Sequence, residues 1–81
     1  MNKKDQERFL KAFGKNLIRL RKDRKLSQAQ LAADADIDLS TLSRIERGIL
    51  NISVWKATKI AACLEVHHRE LFNFDFPLSG K

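Results

Sequence analysis

Between Ser27 and Gly48 the chain carries two helix starts and one firm stop, set so close that only two short helices fit. Ser27 and Gln30 stand at capping-box spacing: the hydroxyl can accept an orphan N–H of the first turn, and the Gln side chain can bond back to the cap's own N–H. Leu26 and Leu31 bracket this start as a hydrophobic staple. Asp38 marks a second start, with Ile37 and Leu42 as a second staple. Gly48 occupies the usual place for a helix stop. The spacing predicts helices over about Gln28–Ala35 and Leu39–Arg47, joined by about three residues. Asp36 falls in that joint, where the chain needs a left-handed residue, and Asp is one of the few non-Gly residues that tolerates one.

A helix pair of this kind makes specific demands, and the sequence meets them in register. Ala32 is small where the third helix must cross the second, and Leu31, Ala35, Ile37, Leu42 and Ile45 supply the anchors. Leu39, Ser40, Ser43, Arg44 and Arg47 are left facing outward. Upstream, Phe9, Phe13, Leu17 and Leu20 fall on one face of a first helix from about Asp5 to Arg24. Gly14 lies inside it at a cost of about 1 kcal/mol relative to Ala. It marks either a tolerated defect or the close approach of another helix. Ser53 caps a fourth helix, Val54 to about Leu64, whose expected buried stripe is Val54, Ala57, Ile60, Ala61 and Leu64. A short fifth helix is expected at about His68–Phe72, and the segment from Phe72 to Pro77 then alternates aromatic and polar residues. Pro and Gly are scarce and no β-type alternation of branched residues occurs. The expected fold is all-α: a compact five-helix bundle with a helix-turn-helix, one domain over 1–81, its core about 9–72 and its tail 73–81.

Size and charge limit what such a domain can do. A chain of 81 residues is too short for a two-domain enzyme or a doubly wound nucleotide-binding sheet. A core this small is marginal alone, so association with a second copy is expected to help. Sixteen Lys and Arg against ten Asp and Glu give a net charge of +6, the electrostatic footprint of a nucleic-acid binder. The lone Cys63 excludes an intramolecular disulfide and a two-cysteine zinc finger. No apolar run approaches the ~20 residues needed to span a bilayer. The first residues are charged, with no apolar leader segment, so a cytoplasmic protein without a membrane partner is expected. Cys63, Glu65, His67 and His68 form the one cluster that could suggest enzyme chemistry. Cys63 and His67 would pair on a metal only if the fourth helix continued past Leu64. A buried structural thiol is the favoured reading of Cys63, and no metal, cofactor or catalytic set is expected.

The strings Leu20-Arg21, Leu26 to Ala32, Ser43 to Gly48, Lys59-Ile60-Ala61 and Leu64 resemble the phage repressor/Cro-type, or XRE, helix-turn-helix family, over about Phe13 to Phe72. The run Glu46 to Ser53, with Leu64-Glu65-Val66, is similar to restriction–modification controller proteins, which are short, free-standing dimeric regulators. The chain departs from the pattern at Asp36, where Gly is usual, and at Leu39, where many members carry a polar base-reading residue. The resemblance implies that Gln28 touches a phosphate and buttresses the third helix. It puts Leu39, Ser40 and Arg44 at base edges, Thr41 or Ser43 at phosphate or base, and Asn51 on the sugar-phosphate rail. Arg47 either joins that set or is a solvated surface charge. Arg21 and Glu46 are charges near a core and each needs a partner; the resemblance implies that they pair with each other as a structural ion pair. The chemistry suits these roles: Arg forks onto guanine O6 and N7, a hydroxyl donates or accepts, and Leu packs on a thymine methyl.

The function expected from this is sequence-specific double-stranded DNA binding by a transcriptional regulator, as a homodimer on a two-fold symmetric operator. Repression and activation stay equally open. No ligand domain is present, so no small-molecule effector is expected. Trp55, Phe72, Phe74 and Phe76 offer more aromatic surface than one small core needs and are the expected dimer interface. The alternative for Phe74 and Phe76 is to fold back over the base of the first helix. A rival reading is an antitoxin-like module that binds a protein and keeps an accessory DNA-binding face.

Overall fold

The computed structural model describes residues 1–76, so the last part of the expected tail, 77–81, lies outside the described residues. Four α-helices and a closing 3-10 turn follow in order: α1, Lys3–Asp23; α2, Gln28–Asp34; α3, Leu39–Glu46; α4, Val54–Leu64; then His68–Phe72. No strand occurs among the described residues. The fifth element is thus a 3-10 turn and not an α-helix.

Local sequence sets most of these boundaries. α1 begins before the expected Asp5 because Asn2 caps it. The Asn2 side chain accepts the Asp5 N–H at 2.9 Å, and the Asp5 carboxylate accepts the Asn2 N–H at 3.3 Å. The Ser27–Gln30 box at α2 closes as expected, at 3.0 and 2.8 Å. Ser53 caps α4 through the Lys56 N–H at 3.1 Å. Asp38 is the exception. It sits extended before α3, but its carboxylate makes no capping hydrogen bond. The first-turn N–H groups of the third helix are therefore left without that partner.

All four helices end in one geometry. Lys25, Asp36, Gly48 and Glu65 take φ of 57°, 57°, 79° and 59°, and the residue after each donates back into the helix, as Ile37 does to Ala32 O at 2.9 Å and Ile49 to Arg44 O at 3.0 Å. Asp36 thus carries the left-handed turn as its sequence position requires. Only α3 uses Gly, and packing explains the choice: a Cβ on Gly48 would lie 2.6 Å from Lys11 Cα. The other three ends have room for a side chain.

Phe13, Leu17 and Leu20 of α1 meet Leu31 and Ala32 of α2, Ala35 at its C-terminal cap, Leu42 and Ile45 of α3, and Ala57, Ile60, Ala61 and Leu64 of α4 in one core, closed by Leu71. Val54 does not join it, contrary to the expected stripe. It is 85% exposed, in the first turn of α4, where Trp55 and Lys56 are exposed as well and only Ala57 turns inward. The 3-10 turn is fastened to α1 by Asn16, whose buried amide donates to Glu70 O at 2.7 Å and Leu71 O at 3.0 Å. Phe74 and Phe76 take the second of the two places expected for them: their rings lie 5.3 and 5.1 Å from that of Phe9, and Arg8 stacks over Phe76 at 5.1 Å. Among the described residues no helix is long and apolar enough to cross a membrane.

Candidate nucleic-acid interface

α3 has two faces because its apolar residues recur at helical spacing. Leu42, Ile45 and Glu46 point inward and are buried. On the other side Ser40, Arg44 and Arg47 are exposed and Leu39 is 49% exposed, with Ser43 half-buried beside them. The side chains of Arg44 and Arg47 make no ion pair or hydrogen bond among the described residues, so both guanidinium forks are available to a ligand. Thr41 is half-buried at the flank and is less accessible than Ser40. This face therefore joins two cations, hydroxyls and one apolar side chain, a mixture that matches the donor, acceptor and methyl pattern of major-groove base edges.

A buried polar knot holds that face in place. The Arg21 guanidinium donates through Nε to Glu46 Oε2 at 2.7 Å and through Nη2 to Glu46 Oε1 at 3.1 Å. Its remaining nitrogen, Nη1, donates to Leu26 O at 2.9 Å. Gln28 Nε2 adds a further bond to Glu46 Oε1 at 2.7 Å. One carboxylate on α3 thus ties α1, the turn before α2, and α2 itself together. The expected ion pair is present, bidentate and buried. Gln28 supplies the buttress expected of it, while its half-exposed position at the start of α2 leaves it next to solvent.

Gly14 brings α1 and α3 closer than any other residue would permit. A Cβ there would lie 2.3 Å from the Glu46 backbone oxygen and 2.8 Å from that of Ile45. Of the two readings open at this position, the close approach is the one realised. Sequence reasoning missed Asn16 altogether. A lone Asn on a helix whose neighbours are Lys and Leu carries no signal of a carbonyl clamp formed more than fifty residues away.

Asn51 is exposed in the loop after α3. Trp55 and Phe72 are 68% and 52% exposed, and an apolar groove lined by Phe9, Phe13, Leu50, Ile52, Val54 and Phe72 opens between α1 and the start of α4. Cys63, His67 and His68 do not assemble into a site. α4 stops at Leu64, and Glu65 turns left-handed, so Cys63 and His67 lose the helical register that would bring them together. The His67 Nδ1 instead accepts the Arg69 N–H at 3.1 Å and caps the 3-10 turn. Cys63 is half-buried rather than buried, and desolvation, reinforced by the Asp34 carboxylate and opposed by Lys59, pushes its thiol pKa up. A raised thiol pKa makes a poor nucleophile or metal ligand at neutral pH.

A model of the helix-turn-helix family matches residues 17–71. The control protein C.MunI of a Mycoplasma species is 42% identical over 62 residues, which is 75% of this chain and 84% of that protein. Among solved structures, the restriction–modification controller protein C.AhdI from Aeromonas hydrophila superposes with a TM-score of 0.77 at 40% identity, over 78% of this chain and 96% of its own. A transcriptional regulator of the same helix-turn-helix family from Vibrio cholerae also reaches a TM-score of 0.77, at 30% identity. That match covers 83% of this chain but 38% of the other, so the shared unit there is one part of a longer protein.

Proposed function

Because this chain belongs to the XRE-type helix-turn-helix family, we propose that it is a controller-like transcriptional regulator which reads double-stranded DNA as a homodimer on a two-fold symmetric operator. The observation that carries this reading is the exposed, unpaired Arg44 on a helix whose inner face is locked by the Arg21–Glu46–Gln28 knot. In this reading Leu39, Ser40 and Arg44 face base edges, and Thr41 and Ser43 supply hydroxyls to base or phosphate. Gln28, Arg47 and Asn51 grip the backbone on either side. No cofactor and no catalytic step is needed. Selection from a random duplex library is the direct test, with a symmetric motif as the expected product. Arg44→Ala should then cost about 1–3 kcal/mol on the selected site and relax the preference at one base-pair position. Gln28→Ala should weaken selected and random sites more evenly. An Arg44→Ala protein with unchanged base preference would remove Arg44 from the reading set.

The dimer follows from reach. A single short helix reads only a few base pairs, and two copies related by a two-fold axis meet successive major grooves about 34 Å apart. The exposed Trp55 and Phe72, with the groove beside Val54, give such an axis an apolar patch that can meet its own copy. Phe74 and Phe76 back this patch from the Phe9 side. Sedimentation equilibrium is expected to give a dimer for the parent protein and a shift toward monomer for Trp55→Ala combined with Phe72→Ala. Assembly unaffected by that double change would move the interface elsewhere.

A further inference from the structure

The cleft between the N-terminal half of α1 and the segment leaving α3 belongs to neither the helix-turn-helix nor the apolar patch. It encloses about 480 Å³, and Lys3, Gln6 and Lys11 line it on the α1 side against Gly48 and Ile49. Glu7 is the one acidic residue on its lining. Both lysines are exposed and make no ion pair among the described residues. The two walls are in direct register, because the backbone of Lys11 packs against Gly48 so closely that no side chain fits between them. The α3-side wall lies in sequence between Arg47 and Asn51, both exposed. The cleft therefore adjoins, along the chain, the two residues assigned above to the DNA backbone.

We infer that Lys3 and Lys11 bind backbone phosphates of the duplex beyond the base pairs read by α3, so that α1 is a second, sequence-independent grip on DNA. This rests on the DNA-binding reading above. The helical rise sets the two ammonium groups' attachment points about 12 Å apart along α1, enough for each to engage a different phosphate. Two lysines against one glutamate leave the cleft cationic, which suits an anionic ligand such as a phosphodiester. Lysine acts there as a point charge and carries no base information.

The test uses the full chain and two duplexes, one recovered by selection and one of random sequence. For the double variant Lys3→Gln/Lys11→Gln, the log–log salt slope of binding should fall by about 1.8 per protomer, from two phosphates at about 0.9 each. Affinity should fall by the same factor on both duplexes, and ethylation interference should disappear from phosphates outside the selected motif. Thermal melting of the variant should match the parent. An unchanged slope with unchanged outer interference overturns the inference, as does a loss confined to the selected duplex. If the parent protein itself fails to prefer the selected duplex, the DNA-reading proposal fails instead, and the two failures are told apart by that control.

Discussion

Glu46→Ala is expected to cost about 3–5 kcal/mol, the range for breaking a buried ion pair by removing one partner. The loss is large because three donors converge on that carboxylate. Without it, the Nε and Nη2 of Arg21 and the amide of Gln28 lose their acceptors together, and only the Nη1 bond to Leu26 O survives. A small domain is stabilised by only about 5–15 kcal/mol in total, so this variant should sit near its unfolding midpoint at modest urea. Gln28→Ala, which leaves the Arg21–Glu46 pair intact, should cost nearer 1 kcal/mol. Replacing Arg21 and Glu46 together by apolar residues of similar volume should recover much of the single-variant loss. A double-mutant cycle on urea unfolding measures this. A coupling energy indistinguishable from zero, or a Glu46→Ala loss no greater than that of Gln28→Ala, would mean the knot does not fix α3.

The knot also shows why its parts were legible in the sequence. Two ionisable residues at inward positions of different helices must find partners, and the family resemblance pairs these two positions with each other. Caps were legible for a similar reason: Ser27–Gln30 and Ser53 act within one turn, and the chain needs no tertiary information to close them. Asn2–Asp5 acts just as locally. Apolar periodicity does not reveal it, because a polar first turn carries none. Asp38 shows the opposite error. The residue type and position suit a cap, but the carboxylate can leave its own backbone at the start of a helix whose outer face is open to solvent.

What the sequence could not carry was which surfaces remain uncovered. Val54 and Ala57 share one helical stripe, yet only Ala57 is buried, because coverage of the first turn of α4 depends on where other elements stop. Phe74 and Phe76 likewise look alike on paper whether they meet Phe9 of their own chain or another copy, and only the path of the chain after the 3-10 turn decides. That path depends on Asn16, a single polar residue with no local signature. For the candidate interface, the outward set on α3 was legible from period alone. The cleft lysines were not, because the nearness of α1 to the segment leaving α3 shows only in the contact between Lys11 and Gly48.

Gly14→Ala is expected to destabilise the protein, against the direction that helix propensity dictates. In an exposed helix interior this substitution gains about 1 kcal/mol, since Ala loses less backbone freedom on folding. Here the added Cβ would lie 2.3 Å from the Glu46 carbonyl oxygen and 2.8 Å from that of Ile45. Both are backbone atoms of the last turn of α3, and neither can rotate away as a side-chain tip would. Relief requires α1 and α3 to separate, and α3 is held from the other side by the Glu46 knot. Overpacking of this kind costs up to about 3 kcal/mol, which outweighs the propensity gain. A net loss of about 2 kcal/mol corresponds to a fall in Tm of roughly 8–16 °C for a domain of this length. On the proposed role of α3, this displacement should also lower affinity for a selected duplex at temperatures where the variant stays folded, and lower it more than affinity for random DNA. Circular-dichroism melting and binding at low temperature read the two effects separately. A variant with a raised Tm and parental DNA affinity would show that α1 and α3 can part without cost, and that the closeness at Gly14 does not position α3.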